Sequence, residues 1–337
     1  MRRIFGYLLL AVGAFALVLA VMMPLYAYPS LAQLERGGPP VKSYAEGTVT
    51  IFNPESVKDE DAEIERSDVE VRINRTVKGI TAAPEAKKYG KVMVWEIGMV
   101  MLEPANPNAA NEPISVYEQK VCLDRHTGEA VEPCSSEYIK DPGRADDYKT
   151  FNGPHEGQIY KFPFGTEKRD YRYFDTVLRT APVAKYVRED TIDGLDVYVF
   201  EQKIERTKVE DREVPGRLIG LPDQANVLAE RYYENTRTLW VEPTTGSIVK
   251  GTEELKNYLE DPASGERLTL LEGKLDLTEE STRENVKRAG DGARKLNLIS
   301  STAPWTLGIV GALCVAVGIW LTLTDVRREQ EDLFPDE

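Results

Sequence analysis

The chain reads as a mainly β protein of the α+β class, a large antiparallel β-sheet or half-barrel-like domain placed outside a membrane and flanked by two transmembrane α-helices. Three observations predict this. Residues 4–27, IFGYLLLAVGAFALVLAVMMPLYA, and 300–324, SSTAPWTLGIVGALCVAVGIWLTLT, carry no charged side chain. The stretch between them is polar enough to bring mean hydropathy over 337 residues down to −0.38. Within that stretch, apolar and polar residues alternate in short runs, the period-two pattern of half-buried strands.

Each apolar segment is long enough to cross a hydrocarbon core of roughly 30 Å as a helix of about 20 residues. For the first, a cleaved signal peptide competes, since Arg2 and Arg3 precede the run and Ser30-Leu31-Ala32 is a small-residue site. The run is longer than the roughly 7–15 residues of a signal peptide's apolar core, which favours an uncleaved anchor. Arg2 and Arg3 before the first segment, and Arg327 and Arg328 after the second, place both ends in the cytoplasm. The expected order is a cytoplasmic tail at 1–3, a helix at 4–27, an extracytoplasmic β-rich domain at 28–299, a helix at 300–324 and an acidic cytoplasmic tail at 325–337. Gly308, Ala312 and Ala316, with Ala16 and Ala20, recur every fourth residue and are expected to form a small-residue seam between the helices. Trp305 and Trp320 suit the two interfaces.

Export has a consequence for the cysteines. Cys122 and Cys134 bracket a turn in VCLDRHTGEAVEPC, and an oxidising compartment would pair them. A Cys–His metal site through His126 is the competing reading, and three ligands are few for structural zinc. No metal is expected. Cys314 falls inside the second apolar segment, as a small buried hydrophobe would.

The strand candidates in chain order are GTVTIF, VEVRIN, KVMVWEI, ISVYEQKVCL, LDVYVFEQKI, RTLWVE, SIVKGTEEL and RLTLLEGKLDL, rich in β-branched and aromatic residues. DRHTGEAV at 124–131 and EPTTGSIV at 242–249 share an acid and a Thr-Gly pair, so both read as strand reversals. Two helices are expected in the domain. One spans LPDQANVLAERYYENT, 221–236. The other starts at a capping box of Ser281 and Glu284 and breaks near Gly290 and Gly292. No shift of composition divides 41–280.

Composition also excludes. The sequence holds no nucleophile elbow, zincin helix, phosphate loop or dinucleotide turn, and has two histidines, so catalysis and cofactors are not expected. With 56 acidic against 42 basic residues, nucleic acid is not an expected partner. KDEDAEIERSD lacks the glycine and final Glu of a calcium loop. YKFPFGTEKRDYRYFD at 160–175 is the unusual segment: Tyr160, Phe162, Phe164, Tyr171 and Tyr173 interleave with Lys161, Lys168, Arg169 and Arg172. The aromatics either plug the core or, with Arg169 and Arg172, rim a cavity suited to an anionic amphiphile.

Taken with the terminal helices, VCLDRHTGEAVEPC, YKFPFGTEKRDYRYFD and LWVEPTTGSIVKG resemble the PorA-family porin-like proteins of actinobacteria over nearly the whole chain. The resemblance implies an envelope protein and brings no catalytic residues. Strands such as VEVRIN are too charged to face lipid without interruption, so the domain is expected to stand in water. Three functions fit: transport or handling of a lipid, other amphiphile or small solute at the cytoplasmic membrane; an oligomeric porin-like channel; and an envelope scaffold that binds proteins. The expected partners are the membrane, a lipid or amphiphile ligand, and further copies of the chain.

Overall fold

A computed structural model describes residues 2–140, 150–151 and 154–333. Of the acidic tail expected at 325–337, the last four residues lie outside that description. The chain divides into two compact units, Met1–Gln33 with Asp291–Glu337, and Leu34–Gly290.

In the first unit, α1 (Arg2–Met22) runs into a π turn and the short α2 (Tyr28–Leu31), and α5 (Ala303–Leu333) packs along α1. Both helical stretches are long and apolar enough to cross a membrane. Their seam consists of Gly6, Gly13 and Ala16 on α1 with Gly311 and Gly318 on α5, all buried. A Cβ on Gly13 would lie 2.7 Å from the Gly311 carbonyl oxygen. Ala20 is half-buried, Ala312 and Ala316 are exposed, and Gly308 faces open space. The small-residue face that makes contact on α5 therefore lies off the one expected from a four-residue repeat, because Gly311 and Gly318, a heptad apart, let the backbones approach more closely than alanine would.

Among the described residues, the second unit is a curled, half-barrel sheet with twelve antiparallel strands. In chain order these are β1 (Val41–Phe52), β2 (Glu65–Gly79), β3 (Val92–Leu102), β4 (Ser115–Asp124), β5 (Tyr138–Lys140), β6 (Thr150–Phe151), β7 (Tyr171–Arg172), β8 (Val183–Ile192), β9 (Leu195–Pro215), β10 (Asn226–Glu242), β11 (Ser247–Glu260) and β12 (Arg267–Leu277). Their spatial order is 6-5-4-3-2-1-12-11-10-9-8-7. Consecutive strands are neighbours throughout, except that β1 pairs with β12 at the centre and β6 and β7 end as the two edges.

All eight predicted strand segments fall on strands, with Lys91 and Ile114 one residue ahead of β3 and β4. The helix expected at 221–236 does not form: β10 runs through it from Asn226, paired with β9 on one side and β11 on the other. Val227, Ala229 and Tyr233 are buried there while Leu228 is exposed, so two-sided pairing of an alternating surface outweighs the helix preference of the residues. The second helix, α4 (Glu279–Asn297), is unbroken through Gly290 and Gly292. Two glycines cost it about 1 kcal/mol each against alanine. Val286 and Ala289 on its inner face pack on Val197 and Val249, an apolar contact that offsets this. Its start also differs from the expected capping box, since the Thr278 hydroxyl accepts from the Ser281 amide while the Ser281 hydroxyl accepts from the Tyr44 amide of β1 at 2.8 Å.

Pleating sorts the two faces of the sheet. Ser43, Val49 and Ile51 on β1, Val69 and Val71 on β2, and Tyr233, Asn235, Arg237, Leu239 and Val241 on β10 are buried toward the inside. The alternate positions carry Glu46, Glu70, Arg72, Lys203, Lys256, Glu272 and Lys274, an outer surface built for water.

Candidate functional site

The two Thr-Gly reversals have the same construction. Asp124 Oδ1 accepts the amides of His126 and Thr127 at 2.8 and 2.9 Å, and the Glu242 carboxylate accepts those of Thr244 and Thr245 at 2.8 Å each. Residues 157–166 thread between these turns. Ala130 donates to the Gly157 carbonyl, Phe164 to that of His126, Thr166 to that of Pro243 and Phe162 to that of Gly246. Gly246 has φ 70°, and a Cβ there would lie 2.1 Å from the Phe162 oxygen, so glycine is required. Gln158 bridges both to Glu129, beyond β4, and to Tyr173, beyond β7, tying the two flanks of the half-barrel at this end. The second cysteine follows the first turn, and Cys122 and Cys134 form a disulfide with Cα atoms 5.7 Å apart.

This threading distributes the aromatic and basic segment over three environments. Phe162, fully buried, stacks on Phe200 at 4.6 Å and meets the edge of Tyr171 at 5.3 Å. Tyr160 and Tyr173 approach the polar side chains inside the half-barrel, while Phe164 is half-buried over the Lys161 ammonium at 3.8 Å. Arg169 lies outside over the Tyr171 ring and pairs with Glu167, and Arg172 pairs with Glu156 at 2.6 Å. Of the residues expected to rim one cavity, Phe162, Tyr171 and Tyr173 thus share one buried cluster, with Arg169 over the Tyr171 ring at 4.3 Å, whereas Tyr160, Phe164 and Arg172 have other partners.

What gathers instead is a polar network on the inner face. Arg237 lies between Glu253 at 2.9 Å and Asp175 at 3.2 Å, and also donates to Gln202 Oε1 at 2.6 Å. Tyr233 donates to Asp175, and the Asn235 amide donates to Glu253 at 3.1 Å. On the opposite flank, Tyr117 and Tyr160 both donate to Gln119 Oε1 at 3.1 Å, and Arg75 binds the Ser43 hydroxyl at 2.9 Å with its guanidinium 5.4 Å from the Tyr160 ring. Burial lowers the Arg237 pKa, but Glu253 and Asp175 outweigh it and hold the guanidinium well above its ordinary value. Burial raises Glu253 and Arg237 outweighs that, so its carboxyl stays below the usual range.

Glu253 shows that this interior contains accessible space. Its side chain is 37% exposed, yet burial among protein atoms is the largest influence on its carboxyl. Glu253 lies opposite buried Arg237 and on the same face of β11 as buried Leu255, so its exposed part is on the concave side of the sheet. Tyr160 is likewise half-buried, with its hydroxyl pKa raised above its ordinary value by burial. Val77, Trp95 and Met99, half-buried inward residues, supply an apolar wall beside Tyr160. Two buried polar atoms in this lumen, Gln119 Nε2 and Asn235 Oδ1, have no partner among the described residues. Sequence reasoning passed over the network, although a signal was present: Arg75 and Arg237 occupy the apolar parity of alternating strands, in Val71-x-Ile73-x-Arg75-x-Val77 and Arg237-x-Leu239-x-Val241.

The family model described as Porin PorA matches residues 5–320. A Porin PorA of Corynebacterium amycolatum is 26% identical, covering 94% of this chain and 98% of the relative. A second Porin PorA, from Corynebacterium resistens, is 25% identical over 98% of this chain and 99% of its own length. A match of that extent, together with a β domain between two terminal apolar helices, is decisive: the chain belongs to the Porin PorA family.

Proposed function

We propose that this chain is a non-enzymatic, two-pass protein of the cytoplasmic membrane that receives an amphiphile or small solute in the lumen of its extracytoplasmic β domain and handles it beside the membrane. The observation that carries the reading is the accessible polar and apolar interior around Glu253, Tyr160 and Met99, behind a charged outer face. A strand barrel that crosses lipid needs an apolar outer belt, and Glu70, Arg72, Lys256 and Lys274 interrupt one here. The helices, not the strands, serve as the anchors. Arg2 and Arg3, with Arg327 and Arg328, support cytoplasmic ends, and a Cys122–Cys134 bridge suits an oxidising exterior.

Native mass spectrometry of the full chain purified from a Corynebacterium host tests it. The expected result is a stoichiometric small molecule, released on denaturation. A chain that is repeatedly bare while its disulfide is intact would overturn the reading. The relatives' name, porin, favours a second one, in which several copies assemble and conduct.

A further inference from the structure

We infer that Ser43, Arg75, Gln119 and Tyr160 form a subsite for the oxyanion head of a single-chain amphiphile, with its chain laid over Met99 and Trp95. This rests on the carrier reading above and names the ligand class. The carboxylates of the lumen are already engaged: Glu253 by Arg237 and Asn235, and Asp175 by Arg237, Tyr233 and the amides of Val177 and Leu178. Arg75 differs. Its Nε is held by the Ser43 hydroxyl at 2.9 Å, and its two Nη groups make no hydrogen bond or ion pair among the described residues. The Tyr160 ring lies 5.4 Å from that guanidinium, and the Tyr160 hydroxyl leads 3.1 Å on to Gln119.

Gln119 is fully buried, and with its oxygen taking both tyrosine hydroxyls, its Nε2 is left without an acceptor. A buried donor without a partner is costly, and a planar guanidinium fork fits two oxygens of one anion. The surplus on this flank is therefore of donors, which a carboxylate or phosphate monoester fills. Half-buried Met99, Trp95 and Val77 pack on the same cluster as Tyr160, which places apolar wall next to the donors. A free anion would use the donors and leave that wall unused.

Full-length protein is incubated with palmitate, with methyl palmitate, or with inorganic phosphate, and released from detergent for native mass spectrometry. Palmitate is expected to be retained one to one, with methyl palmitate retained about tenfold less, the loss of a charge-assisted bond. Arg75→Gln should lose palmitate to a similar extent, Arg75→Lys should keep part of it, and Arg212→Gln, on the exposed side of β9, should match the unmodified chain. If Arg75→Gln fails to fold, Gln119→Leu reads the same subsite and should weaken palmitate but not its ester. Equal retention of acid and ester, or full retention by Arg75→Gln, would overturn the subsite and leave the carrier reading standing. Retention of phosphate alone would overturn the amphiphile. Retention of neither palmitate nor its ester would overturn both the subsite and the reading beneath it.

Discussion

Lys161 is 5% exposed, and its ammonium is held by the carbonyls of Phe162 and Thr245 where residues 157–166 cross the second Thr-Gly turn. Burial lowers its pKa from 10.5 to about 7, against an upward pull from Glu242. The folded chain thus releases this proton earlier than the unfolded chain. Between about 7 and 10.5 the unfolded state binds more protons, so stability is predicted to rise with pH across that window. Chemical denaturation from pH 7 to 10 should show a slope of up to about 1.4 kcal/mol per pH unit, and Lys161→Met should flatten it. A flat profile for the unmodified protein would refute the assignment. Lys161 was visible in the sequence only as one cation among aromatics. Its burial depends on residues 242–246, far away in the chain, and no local pattern encodes that meeting.

Among the elements, the two-residue period was the dependable signal, because a strand with one face inward must alternate whatever its partners are. Four strands were not legible: β5, β6 and β7, since two or three residues cannot show a period, and the ten-residue β8, where Val183 and Val187 are exposed and Arg188, Glu189 and Asp190 interrupt the apolar alternation. The helix seam was legible only as a composition. Many small residues satisfy a four-residue repeat, and rotation about the helix axis decides which of them meet. The difference is testable at Gly13 and Gly308. Leucine at Gly13 must displace the Gly311 backbone or Val315, whereas leucine at Gly308 enters open space. Gly13→Leu is expected to lower the stability of the helix pair by about 1–3 kcal/mol, as overpacking does, and Gly308→Leu to leave it within about 0.5 kcal/mol. Thermal melts of the full chain in detergent, or proximity labels on α1 and α5, would read it. Equal effects would mean that Gly13 is not at the seam.

For the whole molecule, the sheet's outer surface and its filled end bear on conduction. The outer face of the sheet is charged, and residues 157–166 with Phe162 fill the end where β10 meets β11. A planar bilayer containing the full chain is predicted to show no discrete conductance steps. Reproducible steps abolished by Arg237→Leu would place a water path through the lumen and favour the porin reading.

The sequence by itself determined the two apolar spans, the β class, the pairing of Cys122 with Cys134 and the Thr-Gly reversals, because each is set by residues close together in the chain. Only the tertiary structure decided that β1 meets β12, that Arg75 and Arg237 share one interior, and that Arg169 and Arg172 lie outside it. Those outcomes depend on which strands pair and in what register, a long-range choice that alternation permits in many ways and that the packed sheet makes once.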